Sequence, residues 1–284
     1  MDLFGVNKWW DEVIKQADPR VDGYFMMSSP WPGWIIVAVY LFIVWQGPKW
    51  MKDRDPFDLK NILLVYNFFM VALSGFIFYE FMATGWLAGY TLGCQLVDYS
   101  WSPQALRMVR VCWLFYFSKF IELMDTIFFI LRKKNNQVSF LHVFHHAIMP
   151  VSWWYGVKFV AGGLGTFHST CNSFIHFMMY IYYGMAGMGP SMQKYLWWKK
   201  YMTSMQITQF ALVMIHTSQL LFTDCPYPKG FAFLIFLYAF MFIIMFLNFY
   251  RKTYAKKPAS KKKLEVHSNG SDAVMNGIEP KKVN

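Results

Sequence analysis

The chain has 284 residues, of which 56% are hydrophobic, 21% aromatic and only 15% charged, and its apolar residues fall in long blocks. That composition excludes an ordinary soluble domain and points to an all-α, polytopic membrane protein. The formal net charge of +11 does not mark a nucleic-acid binder, because the bases are dispersed among short connections with no soluble domain to present them.

Residues 1–30 carry Asp2, Asp11, Glu12, Asp18 and Asp22 and lack an apolar core, so no cleavable signal is expected and the stretch reads as a lumenal N-terminal segment. Seven apolar blocks follow, near 31–47, 62–83, 109–131, 140–157, 164–186, 202–222 and 230–250. Each approaches the roughly 20 residues that a bilayer-crossing helix needs, which makes residues 31–250 a seven-helix transmembrane domain. Orientation follows from the bases: Lys49, Lys52, Arg54 and Lys60, then Arg132, Lys133 and Lys134, then Lys194, Lys199 and Lys200, and finally a Lys-rich tail lie on alternate connections. By the positive-inside rule the N-terminus is lumenal and the C-terminus cytosolic.

The tail, residues 251–284, is polar, basic and expected to be disordered. It ends "KKVN", with Lys281 and Lys282 at the positions read by the dilysine signal that returns membrane proteins to the endoplasmic reticulum. Its Asn269-Gly270-Ser271 sequon would go unmodified on the cytosolic side. Cys94 and Cys225 fall in two connections expected to be lumenal, where an oxidising compartment allows them to pair as a disulfide; the bland alternative is two free thiols. Cys112 and Cys171 lie inside spans.

Polar residues at membrane depth are costly and so carry information. The third span holds "KFIELMDT", with Lys119, Glu122 and Thr126 along one face and Asp125 beside it. The fourth holds "FLHVFHHAIMP", with His142, His145 and His146 within five residues. The fifth holds "NSFIHFMMYIYY", where Asn172, His176, Tyr180 and Tyr183 step along one side, and the sixth begins "TSMQITQ", with Gln206 and Gln209. Simpler readings exist for some of these: isolated His168 and His216 as packing residues, Lys119 with Glu122 as an ion pair holding register, and the tyrosines as an interfacial belt. Three clustered histidines are harder to explain structurally.

H-x-x-H-H is also the spacing of membrane di-iron oxygenases, but such a centre wants about eight ligands. One cluster among seven histidines is too thin a supply. The alternative is covalent catalysis, in which a neutral imidazole takes an acyl group from a thioester and keeps it transferable while water is excluded. Neighbouring imidazoles then fix the tautomer or move the proton.

In that order and on successive spans, "KFIELMDT", "HVFHH", "NSFIHFMMYIYY" and "TSMQITQ", together with "DYSWSPQALR" and "KYLWWKKY", resemble the signature set of the ELO family of very-long-chain fatty acid elongases, over about residues 20–255. The resemblance implies a 3-ketoacyl-CoA synthase of the endoplasmic reticulum that condenses a long-chain acyl-CoA with malonyl-CoA, releasing carbon dioxide and CoA. It implies seven helices, six enclosing an acyl tunnel with the first outside, and no metal or organic cofactor. Under it His145 is the candidate nucleophile, His142 and His146 orient it and handle protons, and His176 with Asn172 holds the enolate oxygen. Lys119, Glu122, Asp125, Tyr180 and Tyr183 line the same pocket, and Gln206 and Gln209 contact the thioester or pantetheine. Arg132, Lys133, Lys134, Lys199 and Lys200 are placed to meet CoA phosphates, although topology alone accounts for each of them. Phe144 points to saturated and monounsaturated substrates. Further expected partners are membrane lipids, the other enzymes of the elongation cycle and a second copy of the chain. An iron desaturase or hydroxylase and a seven-span receptor are the competing readings.

Overall fold

The computed structural model describes residues 6–254; Lys281, Lys282 and the Asn269 sequon lie outside them. Among the described residues the regular structure is helical throughout, with α-helices at Val6–Ile14 (α1), Trp31–Trp50 (α2), Lys60–Phe81 (α3), Pro103–Ile121 (α4), Leu123–Leu131 (α5), Phe140–Val160 (α6), Thr166–Gly187 (α7), Lys199–Ser218 (α8) and Lys229–Tyr254 (α9).

Two expectations about the spans need correction. The third block begins at Pro103 rather than near 109, because Ser102 accepts a hydrogen bond from the Ala105 amide and Pro103 supplies a preset first turn. It is also divided at Glu122 into α4 and α5: the Glu122 amide still reaches Ser118 O at 3.0 Å, but Asp125 N closes a tighter turn onto Glu122 O at 3.2 Å. The fourth block matches better. Ser139 caps α6 by accepting from His142 N, which starts the helix one turn before the histidine cluster. Pro150 then removes one amide from its interior.

Three of these elements are long and apolar enough to cross a bilayer: α2, α3 continued through Trp86, and α9. The first and last of them turn large side chains such as Trp34, Phe42, Phe233 and Ile244 outward, as lipid-facing helices do. Helices α6, α7 and α8 are of similar length but carry the His, Asn and Gln residues, which turn inward.

By their contacts, α3, α4, α6, α9, α8 and α7 close into a ring, each packed against the next. α2 lies outside it, against α5 and α6. Its inner face consists of Gly33, Val37, Tyr40 and Gly47. A Cβ on Gly33 would meet the Phe120 ring at 3.3 Å and one on Gly47 would meet Ile130 Cγ2 at 2.9 Å, so these glycines set how closely α2 approaches.

One end of the bundle is tied down covalently and by charge. Cys94, after α3, is joined to Cys225, before α9, with the Cα atoms 5.6 Å apart. The N-terminal segment folds onto the same end. Arg20 pairs with Asp18 at 2.6 Å, with both side chains almost fully buried, and donates two further bonds to the Asp98 and Ser100 carbonyls. Burial opposes the Arg20 charge, but the Asp18 carboxylate outweighs it and leaves the guanidinium pKa raised. Lys158 on α6 reaches Asp22 at 2.6 Å, and the indoles of Trp113 and Trp154 donate to the Phe25 and Met26 carbonyls. Residues 1–30, which carry no apolar block, thus include a strap fixed by side chains of α4 and α6 and by main-chain carbonyls of the loop after α3.

Candidate active site

The polar stripes converge. Lys119, the last basic residue of α4, donates to Glu122 Oε1 at 2.7 Å and to Asn172 Oδ1 of α7 at 3.0 Å. His176, one turn beyond Asn172, brings Nδ1 to 3.2 Å from the same Glu122 oxygen, a close approach that is not aligned as a hydrogen bond. All four side chains are buried. Because an ammonium only donates, the Asn172 atom facing Lys119 must be the carbonyl, which leaves its NH₂ free for another acceptor. Asp125, a turn further along, accepts from Tyr180 OH at 2.7 Å.

The histidines of α6 stand opposite. The His145 ring lies 6.4 Å from that of His176 and 5.2 Å from Phe242 of α9, centre to centre. His146 is 5.3 Å from His145 and 4.2 Å from His142. His142 Nε2 is 2.8 Å from Thr126 Oγ1, which in turn is 3.0 Å from Tyr40 OH. Residues spaced i, i+3, i+4 share one side of a helix, and the structure turns that side of α6 toward α5, α7 and α9 together.

Other predicted site residues are less closely gathered. Gln209 is buried with its Nε2 unpartnered, and Gln206 Nε2 lies 4.0 Å from Met179 Sδ. Tyr183 packs edge-on to Tyr180 at 6.1 Å. Arg132 caps the end of α5, while Lys199 and Lys200 are the first two residues of α8, so these bases stand at helix ends apart from the histidines.

A cavity of about 290 Å³ opens between α6, α7, α8 and α9, and Phe242 in its wall is the ring that packs against His145. Met149, Phe210 and Phe242 flank its near end, and Gly165, Tyr227 and Val160 lie toward the Cys225 end. Interiors normally hold few voids larger than a water molecule, so an apolar space of this size is built to be filled. His168 lines it, its ring stacked 5.4 Å over Trp153 and its Nδ1 unpartnered. Sequence reasoning had set His168 aside as packing. It also missed Tyr40, whose signal was its place seven residues from both Gly33 and Gly47 on one face of α2. His216 fits its expected packing role, stacked 4.2 Å from Phe167. Among the described residues, no three His, Cys, Asp or Glu side chains close on a common point as metal ligands would.

A helical membrane bundle with a histidine cluster beside an apolar cavity narrows the class of protein, and comparison with known families agrees. Residues 25–262 match the family described as ELO: GNS1/SUR4. The chain belongs to this family. It is 53% identical over 261 residues to the rat "Very long chain fatty acid elongase 7", covering 91% of this chain and 93% of that protein. It is 53% identical over 250 residues to the human "Very long chain fatty acid elongase 1", covering 87% and 90%, and 52% identical over 264 residues to the Drosophila melanogaster "Very long chain fatty acid elongase 7", covering 92% and 80%.

Proposed function

We propose that the protein is a fatty acid elongase that condenses a long-chain acyl-CoA with malonyl-CoA to a 3-ketoacyl-CoA two carbons longer. The observation that carries this reading is that the His145 ring lies near His176 on one side and packs against Phe242, a wall of the apolar cavity, on another. The relatives' names give it its substrate class.

In the first half-reaction an imidazole nitrogen of His145 attacks the thioester carbonyl, the C–S bond breaks, and the displaced ring proton passes to the CoA thiolate, with His146 near enough to relay it. The acyl chain occupies the cavity, where the absence of water preserves the acyl-imidazole. Malonyl-CoA then loses carbon dioxide. Its enolate oxygen is held by the free NH₂ of Asn172 and by protonated His176, whose charge Glu122 compensates. The enolate carbon attacks the acyl carbonyl, the C–N bond breaks, and His176 gives its own proton to the departing His145 imidazolate and is reprotonated from solvent. One proton is consumed per turnover. No cofactor is required, because each thioester brings its own activation.

We read the bundle as crossing the membrane seven times in the endoplasmic reticulum, with the disulfide end lumenal, the cavity as an acyl tunnel closed at that end, and Arg132, Lys199 and Lys200 at the cytosolic mouth. Phe144 favours saturated and monounsaturated chains. Acyl-CoA given alone should release about one equivalent of CoA and leave an acylated peptide containing His145. Active enzyme that releases none reduces His145 to acid–base work, and two irons per active chain would favour an oxygenase.

A further inference from the structure

We infer that Tyr40, on the helix outside the ring, is a positioning residue that acts through Thr126 to hold His142 in the tautomer protonated at Nδ1, with Nε2 as acceptor. Two hydroxyls and one ring nitrogen form a chain: Tyr40 OH to Thr126 Oγ1 at 3.0 Å, and Thr126 Oγ1 to His142 Nε2 at 2.8 Å. Tyr40 is 2% exposed and Thr126 fully buried, so solvent does not compete for either proton. The chain has two possible directions. If His142 donates, Thr126 either donates to Tyr40 or accepts from both neighbours, and in each case one hydroxyl proton is left in an apolar helix interface. If Tyr40 donates, Thr126 passes its proton to Nε2, both hydroxyl protons are used, and the ring N–H falls to Nδ1 of His142, whose side chain is only half-buried. A buried donor without a partner costs about 1–3 kcal/mol, which selects the second direction.

The backbone of α2 is built to allow this. Gly33 and Gly47 lie one heptad to either side of Tyr40 on the same face, and their missing side chains let α2 come close enough for a phenol to span to α5. With Nε2 committed as an acceptor, His142 is not free to act as a base. It presents a fixed N–H, and the nearest imidazole is that of His146, 4.2 Å away. The tautomer of one ring thereby constrains the next, which lies beside His145. The outer helix becomes part of the machinery that sets the histidine cluster.

The consequence for rate rests on the proposed condensation, whereas the tautomer itself does not, so the two are measured separately. In ¹⁵N-histidine NMR of the full chain in detergent, with His142 assigned by its loss in His142→Gln, wild type should show the Nδ1–H form. Tyr40→Phe should show a mixture, Thr126→Val should lose the preference, and Thr126→Ser should restore it. In condensation assays Tyr40→Phe and Thr126→Val should lower kcat about 10- to 100-fold with KM for acyl-CoA little changed, and Thr126→Ser should recover most of it. An Nε2–H signal in wild type, or an unchanged tautomer in Tyr40→Phe, overturns the inference. A shifted tautomer with unchanged kcat overturns the positioning role. Wild type that shows the Nδ1–H form but does not condense overturns the proposed function and leaves the tautomer assignment standing.

Discussion

At the disulfide end of the bundle charges and indoles have partners: Arg20 spends its donors on Asp18 and two carbonyls, Lys158 meets Asp22, and Trp113 and Trp154 each find a carbonyl. The middle is different. Lys119 and Glu122 are paired, but His176 Nδ1 and Gln209 Nε2 are buried without an aligned hydrogen bond, and His168 Nδ1 is unpartnered beside an empty apolar space. Unpartnered buried atoms occur near the disulfide end as well, at Tyr227 OH and both His216 ring nitrogens, so the difference is one of charge and grouping: that end pairs its charges, while the middle gathers several open positions around one buried ion pair and beside an apolar space. Under the proposed function one region serves stability and the other chemistry.

The sharpest way to break that division is at His145. His145→Ala should lower condensation by about a thousandfold or more, because a missing nucleophile cannot be replaced by its neighbours. The melting temperature should change by no more than a few degrees, since what the ring offers the fold is packing against Phe242 and its neighbouring imidazoles. Condensation and acyl-peptide mapping on purified protein measure both. A variant that melts early yet turns over would place His145 in the structural region.

Glu122 tests the boundary between the two, since it both anchors Lys119 and approaches His176. Glu122→Gln leaves a buried ammonium without its carboxylate and should destabilise by roughly 3–5 kcal/mol, read by thermal or denaturant unfolding in detergent. The paired change Lys119→Met with Glu122→Leu removes both charges and should recover much of that stability. It should not recover condensation, because His176 then has no counter-charge. Recovery of activity in the double variant would make this pair a register device only.

Much of this arrangement was legible before the structure, and the exceptions share a cause. Long apolar blocks locate helices because lipid and core both demand them, and polar residues inside the blocks mark the faces that turn inward. What such patterning does not show is how an interface forms from residues that are unremarkable alone. Tyr40 is one hydroxyl among aliphatics, and only its spacing from two glycines hints at a close approach. The start of α4 at Pro103 was hidden because its first turn carries Gln104 and Arg107, so an apolarity criterion begins too late even though Ser102-Pro103 is a readable cap. The division at Glu122 has no Pro or Gly to announce it. The facing of His145 and His176 depends on how the ring of helices closes, which no local pattern encodes. Asp18 and Arg20 look like solvated charges in sequence and become a buried pair only when loops from elsewhere cover them.

Within the stable end, the disulfide should matter more than any single hydrogen bond. It closes a separation of 131 residues, and in the chain-entropy picture a cross-link of that span stabilises by about 5 kcal/mol, with engineered cases often giving less. Cys94→Ser with Cys225→Ser should therefore unfold at a lower temperature by an amount equivalent to about 2–5 kcal/mol. Acylation of His145 at 25 °C should persist, because the pair lies at the other side of the cavity from the histidines. Non-reducing peptide mapping of native membranes should recover the linked pair, and free alkylation of both thiols would contradict it.

Arg20→Lys is the mildest of these changes and the most discriminating. A lysine at this position keeps a charge for Asp18, but an ammonium is a point donor and cannot reproduce the guanidinium fork that meets both carboxylate oxygens while reaching two carbonyls. One or two backbone carbonyls in a buried strap are left short of a donor, a loss of about 1–2 kcal/mol. The cost should appear as a small drop in melting temperature and as faster proteolysis between α1 and α2, with kcat and KM for condensation unchanged. If the substitution instead slows acylation of His145, strain at the strap is reaching the histidines through α4 and α6, the two helices whose indoles hold it, and the ends of the bundle are one mechanical unit. The geometry argues against that coupling: Trp113 and Trp154 are attached through main-chain carbonyls of Phe25 and Met26, contacts that survive a change of head group at residue 20.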